Sequence, residues 1–145
     1  MKVINKHKIY KVENSKPLLI DLHMTSVNAG FPSPAEDHLD VSLDLNEYLI
    51  KHPSATFYIY AKGDSMINDG IYSGDIMIVD RSLSPKSKDI VIAVIDGDFT
   101  VKRMYNKNNK IYLIPSNKNY ESISITDDMD FQIWGVVTHT IHHCR

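Results

Sequence analysis

Beyond Pro53 the chain is a succession of short apolar segments separated by turn signals, and this pattern constrains the fold more than any other feature. Six segments are rich in β-branched and aromatic residues, which suit the pleated and partly buried surface of a sheet: residues 56–60, 76–79, 90–95, 99–105, 111–115 and 131–138. The pattern predicts a mainly β domain.

Turn signals between these segments indicate hairpins. Asp96 and Gly97 separate two strand-like runs, and glycine accepts the positive φ that a tight hairpin turn requires. A second turn is predicted over residues 106–110. Residues 63–70 form a longer break, which could hold a helical turn that begins near Ser65.

One short helix is predicted before the strands. Asp44 is a good N-cap residue for a helix over residues 44–50, and Glu47 follows it at the capping-box spacing. Pro53 prevents the helix from continuing.

The first 29 residues differ in character from the rest of the chain. Residues 1–29 carry a net charge of +3, whereas residues 30–145 carry −5. Two prolines follow Gly30 and favour extended backbone there. We expect residues 1–29 to be a flexible arm and residues 30–145 to be one folded domain.

The negative net charge of residues 30–145 argues against a general DNA-binding surface, because phosphate contacts need clustered Lys and Arg.

Composition is typical of a globular domain in a reducing compartment. The chain has 145 residues, of which 43% are hydrophobic and 23% charged. Cys144 is the single cysteine, so no internal disulfide can form. The basic N-terminus lacks the apolar stretch of a signal peptide, and no apolar run approaches the roughly 20 residues of a membrane span. We therefore expect a cytoplasmic protein that does not associate with membranes.

Ser65 and Lys102 are the strongest candidates for catalytic residues. Ser65 follows Gly63 and Asp64 in a tight run, and free N–H groups at the start of a helical turn could hold an oxyanion. A hydroxyl becomes a good nucleophile when a base removes its proton, and a neutral lysine can be that base. An exposed lysine, with a pKa of about 10.4, is protonated at pH 7. The mechanism therefore requires Lys102 to be buried beside Ser65.

The order and spacing of several motifs resemble the UmuD proteins, which belong with the LexA-type self-cleaving serine peptidases. The motifs are Gly63-Asp64-Ser65-Met66-Ile67, Gly70-Ile71, Gly74-Asp75, Ile78-Val79-Asp80, Asp89-Ile90-Val91-Ile92-Ala93, Phe99-Thr100-Val101-Lys102, Leu113-Ile114-Pro115 and Gly135-Val136-Val137. The similarity covers most of residues 28–140.

The resemblance implies a fold and a set of roles. The expected fold is the strongly bent β-sheet domain of LexA and signal peptidase, with a flexible N-terminal arm. Ser65 corresponds to the nucleophile and Lys102 to the general base. Ala29 and Gly30 correspond to the scissile bond, and the backbone N–H groups of Ser65 and Asp64 to the oxyanion hole.

The same resemblance implies partners. A UmuD-like protein is a homodimer that cleaves itself when RecA filaments form on single-stranded DNA after DNA damage. The shortened form then joins UmuC in an error-prone translesion DNA polymerase. On this basis we expect self-processing between Ala29 and Gly30, with no direct sequence-specific DNA binding.

Two other functions remain possible from the sequence. A LexA- or phage-type repressor would undergo the same cleavage, but its helix-turn-helix domain needs on the order of 60 residues before the cut, and only 29 precede Gly30. A non-enzymatic interaction module would carry Ser65 and Lys102 by coincidence, and alkaline pH would then not promote cleavage.

The C-terminus offers only a weak metal-binding pattern. Four potential ligands cluster there, namely His139, His142, His143 and Cys144. A chain end is prone to fray, and no second ligand cluster accompanies them. We expect neither a metal nor any other cofactor.

Overall fold

The computed structural model describes residues 2–3, 9–11, 16–22, 27–32, 34 and 41–145. The chain divides into two compact units, the larger formed by Met1–Glu13 with His52–Arg145 and the smaller by Asn14–Lys51. Within the described residues, no helix is long and apolar enough to cross a membrane.

Strands dominate the described parts of the chain. In chain order the elements are β1 (Lys2–Val3), β2 (Ile9–Lys11), β3 (Ile20–Leu22), β4 (Val41–Leu43), α1 (Leu45–Leu49), β5 (Thr56–Tyr60), β6 (Ile76–Asp80), β7 (Ile90–Ile95), β8 (Asp98–Lys107), β9 (Lys110–Ile114), β10 (Ile123–Ser124) and β11 (Phe131–Ile141). Short 3-10 turns lie at Pro53–Ala55 and Ile67–Asp69. The prediction of a mainly β fold is confirmed.

In the larger unit, the described strands form one antiparallel sheet in the order β1-β2-β5-β6-β11-β7-β8-β9-β10. Each of the six segments predicted from the sequence is a strand. β5 and β7 have the predicted bounds, whereas β8 and β11 extend further because backbone pairing continues past their most apolar residues.

Both predicted hairpin turns are present, and their backbones have the required geometry. Asp96 and Gly97 have φ of 49° and 88°, and Asn108 and Asn109 have φ of 52° and 60°. Positive φ at both central residues is the signature of a turn whose twist matches that of the flanking strands. The two turns therefore bring β7, β8 and β9 into consecutive register.

The smaller unit contains the β3–β4 pair and helix α1. The predicted N-cap is confirmed, because the Asp44 carboxylate accepts a hydrogen bond of 2.9 Å from the Asn46 N–H. The helix ends at Leu49, one residue before the predicted end.

The N-terminal strand β2 is an integral part of the larger sheet. It pairs with β5, with Ile9 opposite Ile59, and Ile9 is only 3% exposed. The sequence had indicated an arm with little core character, because lysines surround this short apolar patch. Burial of Ile9 against the sheet edge outweighs that local polarity. Removal of residues 1–29 stays a prediction.

The buried residues form two clusters that share strand β7. Ile92 belongs to the cluster that also contains Ile9, Ile59 and Met66. Val91 and Ala93 belong to a second cluster that also contains Met104, Leu113 and Val136. Successive side chains of a strand point to opposite faces, so β7 contributes to a core on each side.

Gly135 lies where β11 approaches a neighbouring strand too closely for a side chain. The register with β7 shifts between Ile133 and Gly135. A Cβ built on Gly135 would come within 2.6 Å of Val79 Cγ1 and 3.3 Å of the Asp80 carbonyl oxygen. Val79 is fully buried and cannot easily move away.

We therefore predict that Gly135→Ala lowers the free energy of unfolding by about 1–3 kcal/mol, the usual effect of overpacking a core. Urea denaturation would measure the change. Gly30→Ala is the matched control, because a Cβ there meets no atom within 4 Å. Equal stability of the Gly135→Ala variant and the wild type would contradict the close approach.

Candidate active site

Ser65 lies on a turn whose geometry depends on glycine at both ends. Gly63 and Gly70 have φ of +86° and +77°, a backbone region that L side chains rarely adopt. The helical turn begins at Ile67, two residues after Ser65, rather than at Ser65 itself. Met66, only 1% exposed, anchors the turn in the first core cluster.

Lys102 is buried on strand β8, opposite the fully buried Val91 of β7. The residue as a whole is only 8% exposed. The Nζ atom lies 3.1 Å from Ser65 Oγ and 2.9 Å from Thr100 Oγ1. It also donates to the Val101 carbonyl oxygen at 2.9 Å. The structure therefore brings the two residues singled out from the sequence within hydrogen-bond distance.

The environment of Lys102 favours the neutral amine. Burial lowers the pKa of Lys102 below its ordinary value, because removal from water penalises the charged form. Among the described residues, no carboxylate lies within ion-pair distance of Nζ to stabilise the ammonium. A neutral amine at this distance can accept a proton from the Ser65 hydroxyl.

Both residues open onto a cleft of about 740 Å³. Its lining is mixed, with apolar side chains from Ile9, Ile59, Met77, Ile92, Phe99 and Val101 beside polar ones from Lys62, Ser73 and Thr100. The cleft gives a peptide access to Ser65, and its apolar side chains limit the hydration of Lys102. Ile9 of strand β2 supplies part of these walls, so the N-terminal segment contributes directly to the environment of the site.

Ala29 and Gly30 belong to the smaller unit, where both are exposed at a bend. A Cβ built on Gly30 would meet no atom within 4 Å. The backbone around this peptide bond is therefore not enclosed by side chains of the described residues.

Asp64, the residue before Ser65, is held by the loop after β9, more than 50 residues later in the chain. Its carbonyl oxygen accepts a hydrogen bond of 2.9 Å from Asn117 Nδ2, and its carboxylate accepts one from the Tyr120 hydroxyl. The contact with Asp64 raises the pKa of Tyr120 above its ordinary value, because ionisation would break the hydrogen bond. Sequence reasoning missed this loop.

Thr100 was also missed as a partner of Lys102. Here the sequence did hold a signal, since residues two apart on a strand share a face. Thr100 and Lys102 are two residues apart in one predicted strand, and a hydroxyl on the same face as a buried amine is a natural partner for it.

One of the C-terminal histidines, His142, has a structural explanation. His142 Nδ1 lies 2.6 Å from Asp75 Oδ1, and its ring packs against Tyr72. Burial raises the pKa of Asp75, but hydrogen bonds from the Tyr72 N–H and from His142 outweigh it and hold the pKa below its ordinary value. Within the described part of the chain, no three His, Cys, Asp or Glu residues are grouped to hold a metal ion.

Comparison with known proteins identifies the family. Residues 19–138 match the family described as Peptidase S24-like. The chain belongs to this family. It is 50% identical to protein SamA of Salmonella typhimurium over 81% of each chain, and 44% identical to protein ImpA of Escherichia coli over 90% of this chain and 86% of ImpA.

Two further relatives extend the comparison. The chain is 41% identical to protein MucA of Escherichia coli over 84% of each chain. It is 35% identical to the LexA repressor of Clostridium perfringens over 83% of this chain and 60% of the repressor. The resemblance to UmuD-like and LexA-like proteins is thereby confirmed. Membership in the peptidase S24-like family supports a self-cleaving serine peptidase activity at the level of the family.

Burial of Lys102 generates a prediction about stability that does not depend on cleavage. The folded protein binds the Lys102 proton less tightly than the unfolded chain does, because this lysine has its ordinary pKa of 10.5 in the unfolded chain. Between the lowered folded pKa and 10.5 the unfolded state holds more protons, so stability rises with pH in this window, by at most about 1.4 kcal/mol per pH unit.

We therefore expect Lys102→Met to gain most in free energy of unfolding, relative to the protein that keeps Lys102, at low pH. This gain should shrink as pH rises towards 10.5. Urea denaturation at several pH values would measure this, with both proteins carrying Ser65→Ala so that no cleavage intervenes. Lys107→Met, on the exposed end of the same strand, is the matched control. A stability difference that does not vary with pH would contradict the lowered pKa of Lys102.

Proposed function

We propose that this protein cleaves itself between Ala29 and Gly30, with Ser65 as the nucleophile and Lys102 as the general base. The observation that carries the proposal is the buried amine 3.1 Å from the Ser65 hydroxyl, in a member of a serine peptidase family. A lysine is rarely buried without a charged partner, so its position calls for a chemical reason.

The reaction proceeds by acyl transfer. Lys102 takes the proton from Ser65 Oγ while Oγ bonds to the carbonyl carbon of Ala29, giving a tetrahedral intermediate. The bond from that carbon to the Gly30 nitrogen then breaks, and Lys102 gives its proton to the leaving amine. Lys102 then takes a proton from water as the water oxygen bonds to the ester carbon, and it gives that proton to Ser65 Oγ as the carbon–Oγ bond breaks. This restores the Ser65 hydroxyl and frees the Ala29 carboxyl group, which loses its proton to solvent.

The oxyanion of the intermediate is held by the backbone N–H groups of Ser65 and Asp64. In support, neither N–H donates to another protein group among the described residues. Donors that are already oriented in this way lower the activation free energy, because they stabilise negative charge that develops only in the transition state.

The scissile bond suits this site on chemical grounds. Ala29 is small enough for a narrow pocket, and Gly30 allows the backbone to approach Ser65 closely. Because the substrate is part of the same protein or of its dimer partner, its effective concentration is high. Residues 1–29 then form the segment that is released, and residues 30–145 the peptidase domain.

The biological role proposed is that of a UmuD-like subunit in the response to DNA damage. A homodimer is activated in the cytoplasm by RecA filaments on single-stranded DNA, and the shortened form joins a UmuC-type polymerase for translesion synthesis. Support comes from the relatives, since SamA, ImpA and MucA are matched over 81–86% of their own length.

A cleavable repressor is the second candidate, because LexA is also a relative. The chain matches 60% of the length of that LexA repressor. Within the described residues, β2 in the N-terminal segment pairs with the peptidase sheet, which is not the arrangement of an independent DNA-binding domain. Binding of the intact chain to an operator-type DNA site would favour the repressor.

The direct test is incubation with RecA, ATP and single-stranded DNA, followed by mass spectrometry. We expect a fragment of residues 1–29, and the same fragment at alkaline pH without RecA, where more Lys102 is neutral. Ser65→Ala and Lys102→Ala should each abolish cleavage under both conditions. Exposed residues supply the controls, Ser124→Ala and Lys107→Ala, which should cleave normally. Cleavage by either site variant at the wild-type rate would overturn the proposal.

A further inference from the structure

The loop that follows β9 contacts the nucleophile turn through backbone hydrogen bonds. The Ser116 N–H donates to the Ser65 carbonyl oxygen at 2.8 Å, and the Asn68 N–H donates to the Ser116 carbonyl oxygen at 2.9 Å. The loop thus fixes the backbone of the proposed nucleophile and of a residue three positions after it. These contacts join positions about 50 residues apart in the chain.

A side chain of the same loop holds the peptide unit immediately before Ser65. Asn117 Nδ2 donates to the Asp64 carbonyl oxygen at 2.9 Å. The other end of the Asn117 amide is also fixed, since Oδ1 accepts a hydrogen bond of 3.0 Å from the Asn119 N–H. Both ends of the side-chain amide are therefore occupied, and its orientation is determined.

The orientation of the Asp64 carbonyl determines that of the Ser65 N–H. In a planar trans peptide, the C=O of one residue and the N–H of the next point in opposite directions. A carbonyl held by Asn117 therefore directs the Ser65 N–H away from the loop. Among the described residues this N–H has no protein acceptor, so it remains available to a ligand.

We propose that Asn117 is a positioning residue that sets the oxyanion-binding N–H of Ser65 by holding the Asp64 carbonyl. The inference rests on the proposed peptidase function. In the part of the chain that the structure describes, the Asn117 side chain bonds to the Asp64 carbonyl and the Asn119 N–H and makes no hydrogen bond to Lys102. The Tyr120 hydroxyl, which donates to the Asp64 carboxylate, steadies the same residue through its side chain.

The test separates oxyanion stabilisation from simple placement of the nucleophile. Self-cleavage at alkaline pH and reaction of Ser65 with a small fluorophosphonate both pass through a negatively charged oxygen. In the second reaction the Oγ–P bond forms, the P–F bond breaks with loss of fluoride, and Lys102 receives the proton. Alkylation of a Ser65→Cys variant by iodoacetamide forms an S–C bond with loss of iodide, Lys102 again receives the proton, and no oxyanion site is needed.

We expect Asn117→Ala to slow self-cleavage and fluorophosphonate labelling by about 10- to 100-fold, somewhat less than the loss of an oxyanion donor itself. The rate of thiol alkylation should stay within about twofold when Asn117→Ala is added to Ser65→Cys. Asn117→Asp keeps the oxygen that accepts from Asn119 but loses the amide donor, and it should be similarly slow. Asn119→Ala, in the same loop, is the control and should react like the wild type.

Urea denaturation of each variant would verify that it is folded under the assay conditions. Self-cleavage and labelling of both Asn117 variants within about twofold of wild type would overturn the inference while leaving the proposed function intact. Equal slowing of thiol alkylation would also overturn it, since Asn117 would then place the side chain and not the N–H. If Ser65→Ala cleaves like the wild type, the proposed function itself fails.

Discussion

The arrangement of the site depends on the buried position of the Lys102 amine beside the Ser65 hydroxyl. A lysine can occupy such a position only if other groups replace water around its amine. Here Ser65 Oγ, Thr100 Oγ1 and the Val101 carbonyl serve this purpose. The lowered pKa of this amine is the property from which the proposed chemistry follows.

The sheet places these groups by combining elements that are distant in sequence. Strand β8 carries Lys102, the turn after β5 carries Ser65, and the loop after β9 holds the peptide next to Ser65. Arg103, the neighbour of Lys102, also pairs with Asp69 at 2.8 Å. The turn that carries Ser65 is therefore held from the β8 side as well as from the loop. Such rigid support is what precise nucleophile geometry requires.

Much of the fold was predictable because it follows from local patterns. Strands β5 and β7 could be read from their β-branched and aromatic residues, and the turn at Asp96 and Gly97 from its residue types. The helix start at Asp44 follows from capping chemistry. The pairing of β2 with β5 was not predicted, because three residues among lysines give no periodic signal and the partner edge is known only once the sheet is built.

The site was predictable to a different degree. Ser65 and Lys102 were identified through motif order, since a separation of 37 residues carries no geometric information by itself. Thr100 could have been found from strand alternation. Asn117 could not, because a side-chain amide that donates to a backbone carbonyl 53 residues away leaves no pattern in the sequence.

The protonation state of Lys102 can be measured directly. NMR titration of the Lys102 side chain, in protein labelled at lysine Cε, follows its charge as pH is raised. The Ser65→Ala variant prevents cleavage during the experiment, and the additional substitution Lys102→Met assigns the signal by removing it. We predict that Lys102 titrates below the ordinary lysine pKa of about 10.4, because burial penalises its charged form. Titration of Lys102 at or above that ordinary value would contradict the proposed role of the buried amine.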